Sequence, residues 1–104
     1  MPETSRKSFM DKTHAITVKQ ESDFPDAAFR VVVSNGSETS HLVRLTDHYC
    51  RKLVGEKISP EELIRKSFEF LLEREPNTSI LQEFHLYQIS SYFPEYEKTI
   101  KNLL

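Results

Sequence analysis

The stretch Ser59–Arg74 constrains the fold more than any other part of the sequence, because it combines a well-formed helix start with a wide apolar face. Ser59 can cap a helix, Pro60 suits its first turn, and Glu62 completes a capping box. On a helical wheel the apolar side chains span an arc of about 200°. A helix with such an arc is expected to be covered on two sides. We therefore predict a central core helix over residues 60–74, part of whose arc could instead serve as a dimer interface.

A β-hairpin over residues 28–45 is predicted immediately before this helix. Its strands, Ala28–Ser34 and Thr39–Leu45, alternate between two faces and are rich in β-branched residues. Asn35-Gly36 stands between them, and both residues tolerate the positive φ that a tight turn demands. The side chains predicted to face the core are Phe29, Val31, Val33, His41, Val43 and Leu45.

Shorter elements are predicted on either side. A weakly alternating run over residues 14–20 is typical of a strand, so the sheet should have two or three strands. Thr46 can cap a short helix over residues 47–54. After the central helix we expect one short helix at about Ile80–Phe84, a second that stops before Pro94, and a last one that Pro94 opens.

These elements together predict an α+β fold, in which a small antiparallel sheet packs on the central helix and short C-terminal helices follow. A chain of 104 residues is long enough for one hydrophobic core and too short for two. Residues 13–104 are expected to form this single domain. Residues 1–12 are polar and mixed in charge, which predicts a flexible N-terminal tail.

Composition narrows the classes of function. The net charge of −2 does not favour a nucleic-acid partner. Cys50 is the only cysteine, so no intrachain disulfide can form, and a reducing, cytoplasmic setting is expected. No apolar run approaches the roughly 20 residues of a membrane span. With only two glycines the chain has no Gly-rich phosphate loop, and no cofactor or small-molecule ligand is implied.

No combination of residues predicts catalysis or metal binding. His48 and Cys50 are two positions apart, which directs them to different sides of a helix. Cys50 is expected to be a buried structural thiol, because a nucleophile needs a nearby base and a lowered pKa. His41 is expected to be a hydrogen-bonded histidine on the apolar face of the hairpin. The paired glutamates are explained as helix-start or solvated residues, so we expect a protein that is not an enzyme.

The densest aromatic cluster surrounds Pro94 and has two interpretations. Single-stranded nucleic acid stacks on aromatic side chains interleaved with Lys and Arg, whereas the neighbours here are glutamates. The cluster could pack onto the central helix, or it could form a protein-contact patch, since Tyr and Phe are favoured interface anchors. The candidate contact residues are Tyr87, Tyr92, Phe93 and Tyr96.

One resemblance is local. The strand Ser40–Leu45, the helix Asp47–Val54 and the sequence Ser-Pro-Glu-Glu-Leu-Ile-Arg-Lys-Ser from Ser59 resemble the strand–helix–helix core of ribbon-helix-helix DNA-binding proteins. The resemblance implies a strand that pairs with its copy in a dimer and reads the major groove. The DNA-contacting residues would then be Ser40, Leu42 and Arg44. A strand that is already paired within its own chain would have no free edge with which to pair with its copy in such a dimer.

A broader resemblance covers roughly residues 30–100. The patterns Ser-Pro-Glu-Glu-Leu, Phe-Leu-Leu-Glu-Arg-Glu-Pro and Tyr-Phe-Pro-Glu-Tyr are similar to those of small uncharacterised bacterial proteins. This resemblance implies a stand-alone bacterial domain and carries no activity. We therefore expect a non-catalytic protein-interaction or regulatory domain, which binds a protein partner or forms a homodimer. The alternative is a DNA-binding regulator of the ribbon-helix-helix type.

Overall fold

Residues 15–104 are described by a computed structural model, so the tail predicted over residues 1–12 lies outside the described part. The elements are β1 Ala15–Ser22, β2 Asp26–Asn35, β3 Ser37–Thr46, α1 Asp47–Leu53, α2 Pro60–Leu72, β4 Glu83–His85, α3 Ile89–Tyr92 and α4 Tyr96–Asn102, with 3₁₀ turns at Asn77–Ser79 and Leu86–Gln88. The α+β prediction is confirmed.

The four strands form one sheet in the order β1-β2-β3-β4. The first three are an antiparallel meander, in which Asn35 pairs with Ser37 and Gly36 takes a φ of +82° at the tip. The third strand expected at residues 14–20 is therefore present as β1. The predicted core face of the hairpin is also correct, since all six of its side chains are buried.

The fourth strand is a departure from the sequence prediction. Ile80–Phe84 was expected to be helical, which is wrong: residues 83–85 form β4, and β4 runs parallel to β3. Phe84 lies opposite Val43, and both side chains face the core. The sheet is therefore mixed rather than purely antiparallel. Helical spacing of apolar residues was outweighed here by pairing with a strand that lies about 40 residues earlier in the chain.

The central helix begins as predicted. The Ser59 hydroxyl accepts a hydrogen bond from the Glu62 amide at 3.1 Å, and Lys66 lies 3.5 Å from the Glu62 carboxylate. Its last helical residue is Leu72 rather than Arg74. The difference follows from Pro76, because the residue before a proline is disfavoured in the helical region and the helix must unwind ahead of it.

Two-sided burial of this helix is confirmed. Phe68 meets the sheet, with ring centroids 5.4 Å from His41 and 6.1 Å from Phe84. On another side of the helix, Phe70 packs edge-on against Tyr96 at 5.3 Å. The Ser67 hydroxyl lies between the two sides, where it donates to the Leu63 carbonyl at 2.8 Å and pairs with the Tyr96 hydroxyl at 2.6 Å.

The other face of the sheet is open. It carries Arg30 and Arg44, whose guanidinium groups pair with Glu21 and Glu83 at 3.4 and 2.9 Å. All the helices cover the opposite face, which gives a two-layer arrangement typical of antiparallel sheets with one solvated side. Within residues 15–104, no helix has the length and apolar character needed to cross a membrane.

Candidate protein-binding groove

An apolar groove opens at the C-terminal end of α2, between that helix, the segment that leads into β4, and α3. Its volume is about 140 Å³. An apolar cavity of about 150 Å³ accepts a benzene molecule, so this groove is large enough for one ring or one branched aliphatic side chain. The lining residues are Leu71, Glu75, Ser79, Ile80, Leu81, Phe84, Gln88, Ile89, Tyr92 and Phe93.

Asn77 positions one wall of the groove, namely the segment that leads into β4. This side chain is buried although it follows a proline in a connecting segment. Its amide nitrogen donates to the Ser37 carbonyl at 2.9 Å and to the Thr39 hydroxyl at 3.0 Å, with the Val33 carbonyl farther away at 3.4 Å. These bonds fasten the start of the wall to the tip of the β2–β3 hairpin.

The same wall is held a second time by His41. Its Nδ1 lies 2.7 Å from the Leu81 carbonyl oxygen, and because a carbonyl can only accept, Nδ1 carries the hydrogen. Its Nε2 lies 2.8 Å from the Thr39 hydroxyl, which also receives the Asn77 amide. The predicted hydrogen-bonded histidine is therefore present. It fixes the backbone of a residue that lines the groove.

The rim of the groove combines exposed apolar side chains with one carboxylate. Tyr92 is 65% exposed and Leu81 is 48% exposed, although both line an apolar groove. Glu75 is the only Asp, Glu, Lys, Arg or His among the lining residues. Within residues 15–104, Glu75 has no ion-pair partner within 4 Å. The groove therefore offers an apolar floor beside a negative charge.

Gln88 lines the groove from the side of β4 and also protects the edge of the sheet. Its side-chain oxygen accepts from the His85 backbone amide at 2.8 Å. β4 is the last strand in the sheet, and an edge amide without a partner invites pairing with another chain. The Gln88 side chain therefore satisfies one backbone amide of this edge strand.

The predicted aromatic cluster divides between core and surface. Tyr96 is fully buried, and burial raises the pKa of its hydroxyl although the Ser67 hydrogen bond acts in the opposite direction. Phe93 is half-buried against Phe70 at 5.8 Å and lines the groove together with Tyr92. Tyr87 is exposed but lies outside the groove, where it stacks on His85 at 5.2 Å. Two of the four predicted contact residues thus meet at one site.

Ser40, Leu42 and Arg44 share the open face of the sheet, as expected for outward-facing residues of that strand. β3, however, pairs with β2 along one edge and with β4 along the other. A ribbon-helix-helix dimer needs a free edge on this strand, and over Leu42–Arg44 both edges are occupied within the chain. The geometry implied by that resemblance is therefore not formed.

The residues considered for catalysis lie in structural positions. Cys50 is buried, and burial raises the pKa of its thiol, which is opposite to what a nucleophile requires. It borders an open hollow of about 400 Å³ beside the start of α2. Tyr49 donates to the Glu97 carboxylate at 2.7 Å, and the pKa of Tyr49 is raised by burial and by that carboxylate. Among residues 15–104 no three His, Cys, Asp or Glu side chains are grouped to hold a metal.

Leu81, Ile80 and Glu75 were not predicted as site residues. Ile80 and Leu81 fall in the short helix predicted at Ile80–Phe84, and Glu75 is one of the paired glutamates, which are explained as helix-start or solvated residues. They lie close together because of β4 and because of the hydrogen bonds that Asn77 and His41 make. No local sequence signal brings these three residues together, because the burial of Asn77 is visible only in the folded chain. No family model, curated protein or solved structure matches the chain.

Proposed function

We propose that this chain is a non-catalytic protein-interaction or regulatory domain whose contact site is the groove. The observation that carries the proposal is the exposure of Tyr92 and Leu81 on the rim of an apolar groove. Single exposed apolar residues are ordinary on protein surfaces. Here two of them are continuous with an apolar depression, which distinguishes this surface from scattered exposed residues and makes it the candidate contact site.

The groove favours a particular kind of partner segment. Its volume suits one large apolar side chain, such as that of Leu, Ile, Met or Phe. Glu75 beside the apolar floor favours a Lys or Arg next to that anchor, because complementary charge improves specificity and the rate of association. The proposed ligand is therefore a protein segment that presents an apolar residue beside a basic one.

A bacterial and cytoplasmic setting belongs to the same proposal. It rests on the sequence resemblance to small bacterial proteins and on the single, buried cysteine. A reducing compartment is the natural environment for a chain without a disulfide.

Selection from a displayed random peptide library tests this function on the full chain. We expect enriched peptides to share a large apolar residue beside Lys or Arg. Their affinity should fall about tenfold or more in Leu81→Ser and in Tyr92→Ser, since anchor contacts dominate such interfaces. Leu42→Thr is the matched control, because it removes apolar surface from the open face of the sheet and should leave binding unchanged. Peptides that bind all three variants equally, or a selection without a common motif, would contradict the proposal.

A further inference from the structure

We propose that the segment Lys98–Leu104 of a second copy of this chain occupies the groove. This inference rests on the proposed function, because it names the partner of the same site. Each copy would insert one of the two leucines at the end of α4 into the groove of the other. The result is a two-fold homodimer.

The first observation is an unpartnered apolar pair at the end of α4. Leu103 is 55% exposed and Leu104 is 38% exposed, and both follow the last helical residue. Within residues 15–104, five large apolar side chains are prominently exposed: Leu81, Tyr87, Tyr92, Leu103 and Leu104. Two of these are on the groove rim and two are in this segment.

The second observation is charge. Lys98 and Lys101 are exposed and precede the leucines by a few residues. Neither has an ion-pair partner within residues 15–104. The segment thus presents an apolar anchor beside a basic residue, and the groove presents an apolar floor beside Glu75. The two surfaces complement each other in both respects.

The third observation is that, among residues 15–104, the end of α4 does not reach the groove of its own chain. In the described part of a single chain, the groove is lined by residues between Leu71 and Phe93, and none of residues 98–104 is among them. A second copy can supply the segment. If each copy places its segment in the groove of the other, the result is a closed two-fold dimer. Each contact then forms twice, and both grooves are filled.

The size of the contact predicts a weak dimer. One side chain for each groove buries far less than the roughly 1,200 Å² of a stable, specific interface. We therefore expect a concentration-dependent equilibrium between monomer and dimer, whose affinity responds strongly to single residues.

Sedimentation equilibrium of the full chain over a wide concentration range tests this inference. We expect dimers in the wild type and at least about a tenfold loss of dimer affinity in Leu103→Ser/Leu104→Ser and in Tyr92→Ser, since two symmetric contacts are lost. Glu75→Lys and Lys101→Glu should each weaken the dimer, and the combined variant should recover much of the loss. Glu69→Lys, an exposed charge reversal on α2, is the control and should leave the dimer intact.

A labelled peptide with the sequence of residues 98–104 separates this inference from the proposed function. It should bind the wild-type chain and bind Tyr92→Ser about tenfold less well. If library peptides bind the groove but this peptide does not and the chain is monomeric, self-association is refuted and the proposed function stands. A dimer that is insensitive to the groove variants would also overturn the inference. If neither kind of peptide binds, both proposals fail.

Discussion

Three buried polar side chains on the core side of the sheet, His41, Ser67 and Asn77, all have hydrogen-bond partners. A buried polar group without a partner costs about 1–3 kcal/mol, so each of these side chains favours the position of the group to which it bonds. Ser67 joins the central helix to Tyr96, while Asn77 and His41 join the hairpin to the groove wall. At the scale of residues, polar contacts therefore determine where the chain after α2 is placed.

Replacing Asn77 with Ala should destabilise the fold by about 2 kcal/mol, because the buried amide of Asn77 makes hydrogen bonds to Ser37 and Thr39 that an alanine cannot make. Urea unfolding of the purified chain measures this change. Thr78→Ala is the matched control, since Thr78 is exposed on the same 3₁₀ turn and should change the free energy of unfolding by less than about 0.5 kcal/mol. Equal effects of the two variants would show that the buried amide contributes nothing.

The buried tyrosines predict a loss of stability at alkaline pH. Burial raises the pKa of Tyr96 above its ordinary value of 10.0. The unfolded chain therefore releases this proton first as the pH rises, and the folded state loses stability above about pH 10. Tyr96→Phe should reduce this decline when the free energy of unfolding is measured from pH 8 upwards. An identical pH dependence in both proteins would contradict the argument.

At the scale of elements, the shortest strand has the largest consequence. β4 has only three residues, yet it turns the segment after the central helix back onto the sheet and forms one side of the groove. Its pairing is supported by the hydrogen bond between the Leu42 amide and the Gln82 carbonyl at 2.7 Å, and by the hydrogen bond from the His41 ring to the Leu81 carbonyl. At the opposite edge of the sheet, Arg65 donates to the Ile16 carbonyl at 2.6 Å. Side chains thus protect both edge strands.

Replacing His41 with Leu should loosen this strand before it unfolds the domain. The substitution keeps an apolar volume against Phe68 but leaves the Leu81 carbonyl without its donor. We expect faster amide exchange at Leu42 and a loss of about 1–3 kcal/mol in the free energy of unfolding. His48→Leu, on an exposed position of α1, should change neither quantity. An unchanged rate of amide exchange at Leu42 in His41→Leu would show that the His41–Leu81 hydrogen bond does not hold this strand.

At the scale of the whole molecule, we expect stability and the proposed binding to depend on different residues. The core lies between the sheet and the helices, whereas the exposed rim of the groove contributes little to it. Leu81→Ser and Tyr92→Ser should therefore each change the free energy of unfolding by less than about 0.5 kcal/mol while they weaken binding. Thermal unfolding alongside the peptide measurements tests this separation. Variants that lose stability and binding together would show that the rim belongs to the core.

Much of the fold could be predicted because its signals are local. The cap at Ser59, the turn at Asn35-Gly36 and the alternation of the hairpin depend on neighbouring residues, and all three are present. The turn differs in detail, since only Gly36 has a positive φ and Asn35 remains paired with Ser37. The candidate site could be predicted only in part. Tyr92 and Phe93 were identified from aromatic density, but Leu81 and Glu75 were not, since nothing in their immediate neighbourhood indicates that they meet.

The sequence by itself determined that α2 forms, that it is covered on two sides, and that a hairpin covers one of them. Those properties follow from capping, helical periodicity and turn chemistry, which act over a few residues. Only the tertiary structure decided that residues 83–85 form a parallel strand and that the aromatic cluster divides between core and surface. Both outcomes depend on contacts between residues far apart in the chain, such as Asn77 with Ser37 and Tyr96 with Ser67. Their energies come from burial and hydrogen bonding that exist only once the chain has folded.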